Sequence, residues 1–140
     1  MIRKPNPYTL ITESGDVVDF GGGVAGASIT VGAEASDARA ITVQLKDGQA
    51  QNITFAAEVE LVLLLNAGGT DYVATGGSTG LAIGASGKLQ TLVTKKRFKA
   101  LSTAAGVIAL TWTDTGTEAA YLGVKLPNGR MVISAALTNA

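Results

Sequence analysis

The chain has 140 residues, 46% hydrophobic but only 5% aromatic, enough for one domain with an aliphatic core. It contains no cysteine and no histidine, which excludes disulfide scaffolds, thiolate metal sites and histidine general bases. Eleven basic residues balance eleven acidic ones, so no cationic surplus exists to displace counterions from a nucleic acid, and none is expected as a partner.

Residues 1–7, MIRKPNP, are polar and carry two prolines. They are expected to form an extended arm, with residues 8–140 as one domain. The N-terminus has no apolar stretch of the kind a signal peptide needs, and the longest strongly apolar run, LVLLL at 61–65, is too short to cross a bilayer. These features point to synthesis in the cytoplasm and to no membrane partner. GGGVAG at 21–26 fits the glycine pattern of a dinucleotide-binding turn and follows a strand-like DVVDF. That turn requires a helix next, whose N-terminus meets the pyrophosphate. ASITVG follows instead and is strand-like, so the glycines make a loop. AEASDARA at 33–40 has helical composition but is too short to propagate as a helix.

The first clean strand is AITVQLK at 40–46, with Ile41, Val43 and Leu45 on one face and Thr42, Gln44 and Lys46 on the other. AEVELVLLLN at 57–66 starts the same way: Val59, Leu61, Leu63 and Leu65 face inward, Glu58 and Glu60 outward. Val62 and Leu64 then appear on the outward face. A strand apolar on both faces must be covered on both, by another part of the chain or by another subunit. Val62 and Leu64 are therefore the candidate self-association residues, and a homodimer is the default arrangement.

GGSTG at 76–80 matches the nucleophile turn of hydrolases, with Ser78 in the reactive position, but no histidine exists to take its proton and no Ser-x-x-Lys spacing occurs. AIGASGKL at 82–89 approaches a phosphate loop and fails at Ala82 and Leu89. It reads as a turn between short strands. LQTLVT (89–94), KRFKALS (96–102) and GVIALTWTD (106–114) continue the β series. Ile108, Leu110 and Trp112 share a face, so the single tryptophan is expected as a core anchor. No nucleophile–base pair, metal-ligand spacing or cofactor motif emerges, and neither an enzyme nor a cofactor is expected.

The charges are unevenly spread: residues 1–74 hold nine acids and four bases, residues 75–140 two acids and seven bases. Four of those bases are Lys95, Lys96, Arg97 and Lys99 in KKRFK. Lysines on an edge strand blunt its unpaired backbone. The functional reading is a docking face for an acidic protein surface. Together with Arg3 and Lys4 of the arm, these four are the candidate contact residues.

YLGVKLPNGRMVIS at 121–134 is a β-hairpin. A two-residue Asn128-Gly129 turn would set Leu126 opposite Met131, Val124 opposite Ile133 and Leu122 opposite Ala135, giving a continuous apolar face. A three-residue turn led by Pro127, with Gly129 left-handed, would suit the proline better. The apolar face favours the first register.

The stretch LVTKKRFKALS…GVIALTWTDTGTEAAYLGVKLPNGRMVISAALTNA carries a family pattern. Over roughly residues 40–140 the chain is similar to small β-sandwich proteins of tailed-phage structural gene clusters, and it resembles the capsid cement (decoration) proteins of such phages. The resemblance is one of strand pattern and includes no catalytic motif. It implies an antiparallel jelly-roll β-sandwich on the outer capsid surface of a virion, reinforcing a shell of HK97-like major capsid protein as an oligomer. DTGTEAAY at 114–121 also resembles the tyrosine corner of immunoglobulin-like sandwiches, at a longer spacing than that corner wants. The alternative is therefore an Ig-like fibre or adhesin module.

Overall fold

The computed structural model describes residues 23–140, together with the backbone of Thr9–Ile11 and Val17–Asp19. The expected arm at 1–7, with Arg3 and Lys4, lies outside the described residues. The elements are all strands: β1 (Thr9–Ile11), β2 (Val17–Asp19), β3 (Gly26–Val31), β4 (Ala38–Lys46), β5 (Glu58–Leu64), β6 (Gly80–Ile83), β7 (Lys88–Val93), β8 (Arg97–Leu101), β9 (Val107–Thr113), β10 (Tyr121–Lys125) and β11 (Met131–Ile133). β1 and β2 pair as a hairpin. The others form two antiparallel sheets, ordered β3-β4-β9-β6 and β11-β10-β5-β8-β7, packed face to face as a β-sandwich.

Period-two alternation places the core. Ile41, Val43 and Leu45 of β4 and Ile108, Leu110 and Trp112 of β9 are buried on one sheet. Val59, Leu61 and Leu63 of β5, Phe98 of β8 and Leu122 and Val124 of β10 meet them from the other. Each such aliphatic side chain contributes about 1.5–3 kcal/mol by leaving water, so the interleaved faces set the register of every strand. Trp112 is fully buried as expected, although among the described residues its indole N–H is the one buried side-chain polar atom without a partner. Leu65, expected inward, lies just past the end of β5 and is exposed. At the margins β3 lies beside β11 and β6 beside β7, so the two sheets close on each other.

The turns follow from their residues. The short helical-looking segment at 33–40 holds the β3–β4 turn and the first residues of β4. Ser36 and Asp37 both have positive φ (51° and 64°), the requirement of a two-residue hairpin turn whose twist suits the strands. The β10–β11 hairpin corrects the favoured register. Val124 pairs with Val132 and Lys125 with Met131, while Leu126 N–H donates to Arg130 O at 2.8 Å. Residues 127–129 thus form a three-residue turn in which Gly129 is left-handed (φ 88°) and Pro127 needs no donor. A lost ladder bond beside the turn outweighs the gain from Met131, which ends exposed.

The C-terminal residues are tied back onto the β3–β4 turn. Arg39 donates to Asn139 Oδ1 (3.0 Å), Thr138 O (2.9 Å) and Gly32 O (3.1 Å). Asn139 in turn donates to Asp37 O and Asp114 O, at 2.8 and 2.9 Å.

Candidate functional site

KKRFK does not lie on an edge strand. Lys95 and Lys96 sit in the tight β7–β8 turn, and Arg97 and Lys99 belong to β8, an inner strand between β5 and β7. Most of the cluster is already engaged within the chain. Lys95, with φ 59°, sends its ammonium to Gly77 O (3.0 Å) and Ser78 O (2.9 Å). Arg97 grips Glu60 Oε1 through Nε (2.8 Å) and its terminal NH2 nitrogen (2.7 Å). That carboxylate holds the guanidinium pKa above its ordinary value, through the hydrogen bond first and its charge second. Lys99 pairs with Glu58 at 3.2 Å. Lys96, in the turn, has no side-chain hydrogen bond or ion pair among the described residues.

The loop 75–80 that Lys95 reaches is a rigid piece. The Glu118 carboxylate accepts from Gly76 N–H (2.7 Å), Gly77 N–H (3.1 Å), Thr75 N–H (3.3 Å) and the Thr75 hydroxyl. Asp114 Oδ1 accepts from Ser78 N–H (3.0 Å) and Gly116 N–H (3.2 Å), and its Oδ2 from Glu118 N–H (3.1 Å). For both carboxyls burial pushes the pKa up, but the donors outweigh it and hold each below its ordinary value. The Ser78 hydroxyl accepts from Thr115 N–H at 3.0 Å, and Lys95 bonds the Ser78 carbonyl oxygen. The arrangement pins two loops together, with the Ser78 hydroxyl used as an acceptor.

The outward face of the five-stranded sheet holds the other candidates. Val62 and Leu64 are only 3% and 4% exposed, so of the two covers expected for this face the chain supplies one itself. Gly123 lies opposite Val62 in β10, and a Cβ there would stand 2.8–2.9 Å from Val62, Leu64 and Met131, so the three side chains fill the space a larger residue would take. Loop 65–73 folds over the end of β5: Leu65 N–H donates to Asp71 O at 3.0 Å, Val73 N–H to Leu63 O at 3.1 Å, and Asn66 Nδ2 to Thr70 Oγ1 at 2.8 Å.

That loop completes a groove of about 380 Å³. Val62, Leu64 and Met131 form its apolar part, and Glu60, Arg97, Asp71 and Lys125 its polar part, with Tyr72 at 44% exposure beside them. Beyond it the face continues as an exposed ladder of Lys99–Glu58 with Lys88 and Leu101. Reading the sequence did not single out Asp71, Tyr72, Thr75 or Glu118. The DY pair inside a glycine-bounded loop was the available signal for the first two. Nothing local could link Thr75 to a glutamate 43 residues away. No protein-family model matches the chain, and no curated protein matches it in sequence.

Proposed function

We propose that this protein is a non-enzymatic structural protein of a virion, a capsid cement protein that attaches to the outside of the major capsid protein shell and stabilises it. The observation that carries the reading is how the polar residues are used. Glu118, Asp114, Lys95, Arg39 and Asn139 all join loops at one end of the sandwich, a stiffening that serves a reinforcing plate. Lys96 in the β7–β8 turn, with Lys99 of β8, is then the contact group. Exposed ion pairs such as Lys99–Glu58 are worth little and re-form readily with an acidic partner.

For the sandwich topology the strand orders support the Ig-like form over the jelly roll. β3-β4-β9-β6 parallels A-B-E-D, and β11-β10-β5-β8-β7 parallels G-F-C-C′-C″. The order departs from that pattern twice: β6 precedes β7 and β8 in the chain, and the strand beside β5 is β8, with the earlier strand β7 outermost. This strand order also favours, as a second reading, a surface-recognition module of a fibre. Copy number separates the two, since cement coats the shell and a fibre is present in few copies.

The test is to express Lys96→Glu/Lys99→Glu with capsids. The isolated variant should stay folded and melt within about 5 °C of the parent, because the substitutions are exposed and the lost pairing of residue 99 with Glu58, now a repulsion with Glu58 and Glu60, costs about 1 kcal/mol. Its occupancy on particles should fall, more steeply as salt is lowered, and the particles should release DNA at lower temperature. Unchanged occupancy and release temperature would rule out this contact group.

A further inference from the structure

We propose that the groove on the outward face of the five-stranded sheet binds a neutral saccharide, one sugar ring lying against Tyr72 with its hydroxyls held by Glu60, Asp71 and Arg97. The site goes beyond the cement reading and does not depend on it.

Charge balance selects the ligand class. Two carboxylates, Glu60 and Asp71, face two cations, Arg97 and Lys125, around one groove. An anion would find the carboxylates in its way, and a metal ion would meet the guanidinium already seated on Glu60. A neutral polyhydroxy compound needs both donors and acceptors close together, and the groove supplies both. The Arg97–Glu60 pair is also left half-open: both guanidinium bonds end on Oε1, so Oε2 keeps its acceptor capacity, with no partner among the described residues.

The shape fits the same class. A sugar ring has apolar C–H faces and a polar rim. Met131, 37% exposed over the buried Val62 and Leu64, offers an apolar floor, and Tyr72 stands beside it with an apolar ring and a polar tip. The backbone of β5 is paired on both sides, with β10 and β8, so an extended peptide could not add as a strand here. Only side chains can read what binds. The site is also pre-formed. Gly123 leaves room for the Val62–Leu64–Met131 floor, while the Asn66–Thr70 bond and the Leu64–Tyr72 bridge fix the loop that presents Asp71 and Tyr72. A pocket of about 380 Å³ with a few convergent polar groups is of ligand-site size.

The experiment is saturation-transfer NMR on the isolated protein, so its outcome does not depend on shell attachment. The probes are maltotriose, mannotriose and N-acetylchitotriose, with sialyllactose and a sulfated heparin trisaccharide as charged comparators. At least one neutral probe should receive saturation and shift the amides of Tyr72 and Arg97, with millimolar affinity. Tyr72→Ala should weaken that binding about ten-fold, while Tyr72→Phe, which keeps the ring, should stay within about three-fold. Thermal melts establish that each variant is folded, and Glu60→Gln, expected to weaken binding comparably, serves if Tyr72→Ala is not. The proposal is overturned by transfer to none of the neutral probes or by preference for the charged ones. Binding that survives both Tyr72→Ala and Glu60→Gln in folded protein overturns it equally.

Discussion

Glu118→Ala is expected to destabilise the protein by about 3 kcal/mol at pH 7, lowering its melting temperature by roughly 10 °C. The glutamate carboxylate is the acceptor for the N–H groups of Gly76 and Gly77, both buried, and for both donors of Thr75. Alanine leaves the two buried amides unpaired, which costs more than a typical surface hydrogen bond contributes. The same residue makes the fold acid-sensitive. Glu118 and Asp114 both have lowered pKa values in the folded chain, so as pH falls the unfolded chain takes up protons first. Their stabilisation is fully present above about pH 4.5 and is lost as pH drops through the folded values. Urea midpoints at pH 7 and pH 3 should therefore differ less in Glu118→Ala than in the parent. An identical acid response in the two proteins would show that this carboxylate does not hold the loops.

Gly77→Ala is expected to cost about 3–5 kcal/mol. Two penalties combine. Gly77 has φ 80°, a conformation that L residues avoid, and an added Cβ would stand 2.8 Å from the Trp112 ring and 3.0 Å from Thr113 O. Trp112 is fully buried between the sheets and has nowhere to go. Gly129→Ala is the control: its φ is 88°, but nothing lies within 4 Å of the new Cβ, so only the conformational cost of about 1 kcal/mol applies. Denaturation midpoints for the two variants give the packing contribution by difference. Equal losses would mean that the tryptophan is not what Gly77 accommodates.

The two glycines also mark the limits of reading the chain in one dimension. GGSTG was recognisable as a loop, and the missing histidine and Ser-x-x-Lys spacing argued against a hydrolase turn. That the loop lies over Trp112 and is clamped by Glu118 depends on the pairing of β6 with β9 and on where the 114–120 loop returns. KKRFK was legible as a dense cationic run. Its use was not, since Lys95 finds its acceptors in the 75–80 loop and Arg97 and Lys99 find theirs on β5. The hairpin at 121–134 shows a conflict within one stretch. Side-chain alternation argued for one register and the missing proline donor for another, and the backbone bond prevailed.

What the amino-acid order determined by itself is the all-β class, the inward faces of β4, β5 and β9 and the burial of Trp112. These are set by period-two alternation and by residues whose φ preferences act within a few positions. Only the tertiary structure decided that Val62 and Leu64 are sealed by Met131 and loop 65–73, that most of the basic cluster is engaged within the chain, and that Tyr72 meets Arg97 in one groove. The reason is physical. An outward-facing side chain on an inner strand is covered or exposed according to the strands and loops beside it, and in an antiparallel sandwich those neighbours come from distant parts of the chain.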